Sequence, residues 1–243
     1  MRKFISGIKL NSMPPEDSYL RRLPLVQSLA GQGVLPLNSP VTFLVGENGT
    51  GKSTLLEGVA VAAGFNAEGG TKNFAFSTKD THSKLHEHLT LIKEAYPKDG
   101  FFLRAESFYN TSSYLDEIYD FNRKTCYGDR SMHKQSHGES FLALIENRFG
   151  GDGLYLLDEP EAALSPSRLL SLIVLIHDLV KQNSQFLIAT HSPILMACPD
   201  AEVLELSEAG IRSVDYRETE HYQLTRRFLE NPERMLHYLL DMH

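Results

Sequence analysis

The sequence predicts an α/β fold in which helices cover both faces of a mostly parallel sheet, with antiparallel strands at one edge. Three apolar, β-rich runs, at residues 41–45, 154–157 and 185–190, are each followed by a turn and a stretch with helical character. Strands that alternate with helices in this way form parallel sheets. Because ligands of such sheets bind at the carboxyl ends of the strands, the functional residues are expected where these three runs end.

The other segments are assigned from periodicity and from their glycines and prolines. Strands are predicted at residues 3–10, 71–81 and 101–106 (the last ending abruptly in charged residues), with a weak, proline-containing edge strand at 34–37. Helices are predicted at residues 83–95, 108–124, 139–149 and 167–182. The helix at 167–182 is apolar on almost every face and is therefore expected to be deeply packed. Further expectations are one helical turn within 19–30, a loop at 125–135, a hairpin at 202–216, and two short helices after residue 219 that are broken at 231–232.

The composition is that of an ordinary soluble globular protein. The 243 residues are 42% hydrophobic and 23% charged, which is enough for a sizeable core. The net charge of −7 argues against strong non-specific binding of nucleic acid by the surface as a whole. The two cysteines, Cys126 and Cys198, lack metal-type spacing and are expected to be reduced thiols. Since no run reaches the roughly 18 apolar residues of a membrane span and no secretory leader is recognisable, the chain is expected in the cytoplasm.

The stretch from residue 46 to 53, GENGTGKS, matches the phosphate-binding loop pattern GxxxxGK[ST]. An apolar strand precedes it and a helix-forming run follows it, which is the context that the motif requires. Glycines let backbone N–H groups turn towards a polyphosphate, and the positive end of the helix faces the same anion. The alternative is a glycine-rich turn that only joins a strand to a helix, and the Lys-Ser pair disfavours it. The predicted contacts are Gly46, Glu47, Asn48, Gly49, Thr50, Gly51, Lys52, Ser53 and Thr54, with Lys52 on the β- and γ-phosphates and Ser53 on Mg²⁺.

Two adjacent carboxylates, Asp158 and Glu159, end the second apolar run. Like charges at the end of a buried strand repel each other and resist desolvation, and a divalent cation would relieve both costs. Asp158 is therefore predicted to hold Mg²⁺, directly or through water, and Glu159 to orient and deprotonate an attacking water. The alternative is a solvated acidic turn before Pro160, and the phosphate-binding loop elsewhere in the chain favours the functional interpretation.

Two further motifs combine a predicted helix start with polar side chains. Residues 136–140, SHGES, contain the capping box Ser136-x-x-Glu139, but a helix start with Ser136 and Gly138 also suits a phosphate. Local pattern alone favours the cap. His191 follows the third apolar run, just before a helix start, where a histidine is usually a structural hydrogen-bonding group. Its expected position beside the Asp-Glu strand favours contact with a γ-phosphate.

The order GENGTGKS, SHGES, LYLLDEPEAALSP and ATHSP resembles the nucleotide-binding domain of the ATP-binding cassette (ABC) superfamily. SHGES is similar to the signature motif in the form found in chromosome-maintenance and break-repair ATPases. Residues 162–165 match the D-loop without its usual aspartate, and His191 matches the switch histidine. The resemblance covers essentially the whole chain and is strongest to small, stand-alone bacterial ATPases of the AAA type, which also share the stretch FFLRAESFYN at 101–110.

The resemblance implies one ABC-type ATPase domain over residues 1–243, with a helical signature subregion at about 82–149 between the two nucleotide motifs. It implies ATP and Mg²⁺ as ligands, and Lys52, Glu159 and His191 as catalytic residues. It also implies an ATP-dependent, head-to-tail homodimer in which Ser136, Gly138 and Glu139 complete the partner's nucleotide site. His137 departs from the family's first signature glycine. Glu106 stands where the family has a glutamine and either contacts Mg²⁺ or water or is an exposed structural carboxylate.

The expected function is that of a soluble ATPase whose ATP-driven dimerisation acts on an unknown partner protein or a nucleic acid. Too few residues separate the first two motifs for a long coiled coil. One alternative is the ATPase subunit of a membrane transporter, and another is a slow nucleotide-sensing module that gates an effector. The histidines at 82, 86 and 88 are interpreted as incidental rather than metal-binding. Residues 125–135 and the C-terminal arginines at 226, 227 and 234 are candidate contact surfaces.

Overall fold

The computed structural model describes residues 3–71, 83–105 and 137–240, the last range beginning with three residues, 137–139, given as backbone only. Within these ranges there are nine strands: β1 (Ile5–Leu10), β2 (Val34–Pro36), β3 (Val41–Val45), β4 (Leu89–Lys93), β5 (Asp99–Arg104), β6 (Gly153–Asp158), β7 (Gln185–Ala189), β8 (Glu202–Ser207) and β9 (Gly210–Val214). The α-helices of the same ranges are α1 (Pro24–Gln32), α2 (Lys52–Ala63), α3 (His137–Arg148), α4 (Pro166–Lys181), α5 (Pro193–Met196), α6 (Glu220–Glu230) and α7 (Pro232–Leu239).

The main sheet has six strands in the order β5-β6-β7-β3-β8-β9. The first five strands in this order, including β3, are parallel to one another. Strand β9 adds an antiparallel edge through its hairpin with β8. Strand β7 lies between β6 and β3, so the three predicted apolar runs are neighbours. Their carboxyl ends therefore share one edge of the sheet, which is where α/β folds bind ligands.

Helices cover both faces of this sheet, as the sequence predicts. Successive residues of a strand alternate between faces. Thus Leu44 and Leu156 pack with α1 and α2 on one side, while Phe43 and Leu157 pack with α3, α4 and α5 on the other. Burying each such side chain stabilises the fold by about 1.5–3 kcal/mol. The predicted α/β fold with a mostly parallel sheet is confirmed.

A second, antiparallel sheet in the order β2-β1-β4 packs against α1 and α2. It corrects the helix predicted at 83–95, because this segment forms a 3-10 turn, Lys84–His88, followed by strand β4. Leu89 and Leu91 are buried while Thr90 between them is exposed, a period of two that pairs with β1. The spacing of Leu85, Leu89 and Ile92 also fits a helix, and the pairing with β1 decides between the two.

Two helix predictions were wrong in extent or environment. Residues 19–32 form a 3-10 turn, Tyr19–Arg22, and then the nine-residue α1, not a single turn. Helix α4 is not deeply packed all round, since Leu170 and Val174 are 58% and 61% exposed. These two residues are one helical turn apart and lie on the face opposite the buried Leu172 and Ile176. The apolar composition of the helix therefore did not predict which of its faces are covered.

The hairpin at the sheet edge and the two C-terminal helices are confirmed. Asn231 separates α6 from α7 and caps the second helix by accepting from the N–H of Arg234. The strand expected at 71–81 is described only at residue 71, and the segments at 108–124 and 125–135 lie outside the described residues. Across the described ranges, none of the helices has both the length and the apolar character needed to cross a membrane.

Candidate active site

The loop between β3 and α2 bends sharply around three glycines with positive φ, namely Gly46 (138°), Gly49 (83°) and Gly51 (97°). A Cβ on Gly46 would lie 2.1 Å from the carbonyl oxygen of Leu206, and one on Gly51 would lie 2.0 Å from Leu25. The loop is therefore pressed between β8 and α1, and only glycine fits at those two positions. The loop tip, residues 47–49, is exposed.

Lys52 lies inside this loop and is 4% exposed. Its Nζ donates to the carbonyl oxygens of Gly46 and Glu47, both at 2.8 Å. Burial lowers the pKa of Lys52, and nearby carboxylates oppose that effect. The opposing groups, strongest first, are Glu159, Asp158, Glu161 and Glu47. One mostly buried ammonium therefore lies close to the acidic residues of the second motif.

The predicted carboxylate pair lies at the end of β6. Asp158 is the last residue of the strand, is 6% exposed, and is in register with Arg104 of β5 and Ala189 of β7. Glu159 adopts the left-handed conformation (φ 49°, ψ 53°), which costs a non-glycine residue about 1–2 kcal/mol. Its N–H donates to the carbonyl of Ala189 at 2.9 Å, which holds this turn in place. Such strain is typical of functional sites.

His191 lies just past the end of β7 and completes the group. Its Nε2 is 3.6 Å from Oε1 of Glu159, and its Nδ1 is 2.8 Å from Nε2 of His221. Its backbone N–H donates to the carboxylate of Glu161. Burial lowers the pKa of His191, with further lowering by the positive charge of Lys52 and by His221. The neutral imidazole is therefore the favoured form.

Arg104, at the end of β5, joins the second motif to α2, a role that the sequence analysis missed. Its Nη1 is 2.7 Å from Oε2 of Glu57, and its Nε is 3.4 Å from Oδ2 of Asp158. The other oxygen of Glu57 accepts from the N–H of Ser83 at 2.7 Å. The available signals were an arginine ending an apolar strand and a glutamate inside an otherwise apolar helix.

The structure thus brings Lys52, Asp158, Glu159 and His191 to one edge of the sheet, and places Ser53 and Thr54 in the first turn of α2. Ser136 and Glu106 lie outside the described residues. Gly138 and Glu139 are described as backbone in the first turn of α3, so their predicted contacts are untested.

The donor set suits Mg²⁺. Asp158 and Ser53 offer hard oxygen ligands, and the described residues contain no cluster of three or more histidine, cysteine or acidic side chains that could cage a metal. Mg²⁺ typically takes one or two protein oxygens and fills its remaining positions with phosphate and water. His86 and His88 instead lie within hydrogen-bonding distance of Ser83 and Ser12, and His82 lies outside the described residues.

Comparison with known protein families gives two matches. Residues 140–197 match the family described as "AAA domain, putative AbiEii toxin, Type IV TA system". Residues 26–124 match another family described as "AAA domain". Each match covers one of the two regions that carry a nucleotide motif.

One curated protein is similar over part of its length. ABC transporter G family member STR2 of Medicago truncatula is 26% identical over a 171-residue alignment that covers 63% of this chain and 24% of that protein. The chain therefore matches about a quarter of the length of this relative.

Two solved structures share the fold. An ATP-binding cassette of an ABC transporter is 14% identical, with coverage of 97% of this chain and 99% of that chain and a TM-score of 0.52. An ABC transporter in an inward-facing conformation is 17% identical, with coverage of 93% and 88% and a TM-score of 0.50. The two domain matches and the shared fold support an ATPase domain of the ABC or AAA type.

Proposed function

We propose that this protein binds and hydrolyses ATP with Mg²⁺ at the interface between two copies of the chain. We further propose that the ATP-driven association acts on a partner protein or a nucleic acid. The observation that supports the proposal best is the convergence of Lys52, Asp158, Glu159 and His191, which come from three separate motifs spread over about 140 residues of the chain. An ammonium, two carboxylates and a neutral imidazole at the start of a helix match the needs of phosphoryl transfer.

The roles follow from the contacts. The N–H groups of the loop and of the first turn of α2 would hold the β- and γ-phosphates. Lys52 already donates to two loop carbonyls, so it would exchange one of these bonds for a phosphate oxygen. Asp158 and Ser53 would hold Mg²⁺, which supplies neutralisation of the phosphate charge when bound.

Glu159 would orient the attacking water and accept its proton, and its exposed fraction of 35% leaves room for that water. His191 would donate from Nε2 to the γ-phosphate, for which its favoured neutral form is suited. Glu159 has a left-handed backbone, and its Oε1 lies 3.6 Å from Nε2 of His191.

The dimer part of the proposal rests on the resemblance of residues 136–140 to a signature motif. The start of α3 would present Ser136, Gly138 and Glu139 to the nucleotide of the second copy, where extra hydrogen-bond donors stabilise the transition state. Glu106 would contact a water or Mg²⁺, as the resemblance implies. Because each copy would supply part of the other's site, ATP binding and association would favour each other.

Sedimentation velocity of the Glu159→Gln variant tests the proposal. Glutamine keeps the shape of the side chain but cannot accept the proton, so this variant should bind Mg-ATP, fail to hydrolyse it and sediment as a dimer. Lys52→Ala should lose ATP binding and remain monomeric. Glu94→Gln, which changes an exposed carboxylate after β4, is the control and should behave as wild type. A Glu159→Gln variant that stays monomeric with saturating Mg-ATP would count against the dimer mechanism.

The transporter alternative is favoured by the names of similar proteins, which include ABC transporters. In that case the chain should co-purify with a specific membrane protein from solubilised membranes, and its ATPase rate should rise in the complex.

The sensing alternative predicts slow turnover that Glu159→Gln leaves unchanged, a result that single-turnover hydrolysis would reveal.

A further inference from the structure

A histidine pair connects the candidate active site to the C-terminal helices. Nδ1 of His191 and Nε2 of His221 are 2.8 Å apart, and the two rings are tilted by 54° at a centroid distance of 4.8 Å. His221 is the second residue of α6, whose start is fixed by Thr219. That residue is 1% exposed, caps the helix by accepting from the N–H of Tyr222, and donates to the carbonyl of Tyr216. The position of His221 is therefore set by a well-anchored helix start.

The start of helix α6 and the phosphate-binding loop line the same cavity. His221 lines a cavity of about 620 Å³ together with Gly46, Glu47 and Thr50 of that loop. The contact between the two histidines is therefore part of the surroundings of the nucleotide motif, although 30 residues separate them in sequence.

Only one proton can occupy the short gap between the two ring nitrogens, which leaves two arrangements. Either His191 donates from Nδ1 and its Nε2 is bare, or His221 donates from Nε2 and His191 carries its proton on Nε2. The group facing Nε2 of His191 is the carboxylate of Glu159, at 3.6 Å. An ionised carboxylate only accepts hydrogen bonds, so it favours the arrangement in which Nε2 of His191 is the protonated nitrogen.

We propose that His221 is a positioning residue that holds His191 in the Nε2–H tautomer by donating its own Nε2–H to Nδ1. The inference rests on the proposed function for its consequence: the nitrogen directed towards the site then presents an N–H to the γ-phosphate. The other tautomer would present a lone pair to an anion. A second hydrogen bond at the remote nitrogen is the general way in which proteins fix the tautomer of a functional histidine.

The tautomer can be read directly in the protein without nucleotide. Long-range ¹H–¹⁵N spectra of ¹⁵N-histidine-labelled protein at pH 8 distinguish protonated from bare ring nitrogens, and the signals lost in His191→Gln assign His191. We expect a protonated Nε2 and a bare Nδ1 in the wild type. A wild-type His191 protonated on Nδ1 would overturn the proposal whatever any variant does.

Two substitutions at His221 separate its donor function from its bulk. In His221→Gln the amide can still donate to Nδ1, so His191 should keep the Nε2–H tautomer. In His221→Glu only an acceptor is present, so the proton should move to Nδ1. The same change at the exposed His237 of α7, His237→Glu, is the matched control and should leave the His191 spectrum unchanged.

The kcat for ATP hydrolysis should depend on which tautomer His191 adopts. A histidine held in the wrong tautomer costs about 10⁴-fold in kcat where it acts as the general base, and a single lost hydrogen bond to a transition state costs about 10²–10³-fold. Since Glu159 remains in place, we expect His221→Glu to lose roughly 10–100-fold in kcat with little change in KM. His221→Gln should stay within about threefold of wild type.

The two proposals fail in distinguishable ways. A wild type with the expected tautomer but no ATP hydrolysis would refute the proposed function and leave the histidine pair intact. Suppose that only His221→Glu moves the His191 proton to Nδ1, but that His221→Glu and His221→Gln hydrolyse ATP at the same rate. This result would refute the positioning role and leave the ATPase assignment untouched.

Discussion

Replacing Arg104 with methionine should destabilise the protein, because its guanidinium joins two acidic side chains of α2 and β6. The side chains of Arg104 and Glu57 are 23% and 9% exposed, and their closest atoms are 2.7 Å apart. Asp158, whose side chain is 8% exposed, lies 3.4 Å from the same guanidinium. Methionine preserves most of the length and packing of the side chain while removing the charge and every donor.

The expected magnitude follows from the burial of the pair. Breaking a buried ion pair by removing one partner typically costs about 3–5 kcal/mol. Glu57 keeps its hydrogen bond from the N–H of Ser83, and the partial exposure of Arg104 admits some solvent, so both effects reduce the cost. We expect a loss of about 2–3 kcal/mol in the free energy of unfolding, or roughly 5–10 °C in Tm for a chain of this size.

Urea unfolding followed by far-UV circular dichroism measures this loss, a suitable probe because the chain has no tryptophan. A double-mutant cycle with Glu57→Gln should give a coupling energy of about 1–2 kcal/mol. Lys98→Met removes an ion pair with Asp152 whose lysine is 80% exposed, and this control should change stability by less than about 0.5 kcal/mol. A loss below about 1 kcal/mol in Arg104→Met, or a coupling near zero, would refute the reasoning.

Two further predictions concern the loop and the imidazole. Gly46→Ala places a Cβ 2.1 Å from a backbone carbonyl oxygen, so it should weaken ATP binding at least about tenfold, as measured by isothermal titration. Gly49→Ala has open space around its Cβ, so it should cost only about 1–2 kcal/mol of backbone strain, as measured by urea unfolding. Similar binding by both variants would argue against the close approach. The pKa of His191 is lowered in the folded chain, so below about pH 6.5 the unfolded chain binds the proton more readily and the free energy of unfolding should fall with falling pH. His191→Gln should flatten this dependence, and an unchanged slope would assign it to other groups.

The parts of the fold that could be predicted are those encoded in contiguous residues. The phosphate-binding loop, the apolar strands β3, β6 and β7, and the acidic pair after β6 each carry their own local pattern, and parallel topology then brings their ends together. The strand at Leu89–Lys93 could not be predicted in this way. Its spacing fits a helix as well as a strand, and only its pairing with β1, some 80 residues earlier, decides.

The contacts that hold the site together could not be predicted, because they join residues that no local pattern relates. Arg104 and Glu57 are 47 residues apart, and His191 and His221 are 30 apart. Each residue taken alone resembles an ordinary surface charge or a structural histidine. For α4, the sequence reveals which residues are apolar but not which face another element covers, so Leu170 and Val174 were misjudged.

The charges around Lys52 bear on how the Glu159→Gln experiment should be interpreted. Four carboxylates influence this one ammonium, and Glu159 has the largest effect among them. An uncompensated acidic site repels a polyphosphate, so the substitution removes one repulsive charge at the same time as it removes the proton acceptor. The variant should therefore bind Mg-ATP more tightly than wild type even before any association occurs. If direct titration of Glu159→Gln, under conditions in which it remains monomeric, showed no gain in affinity, a trapped dimer would have to be explained by arrested hydrolysis alone.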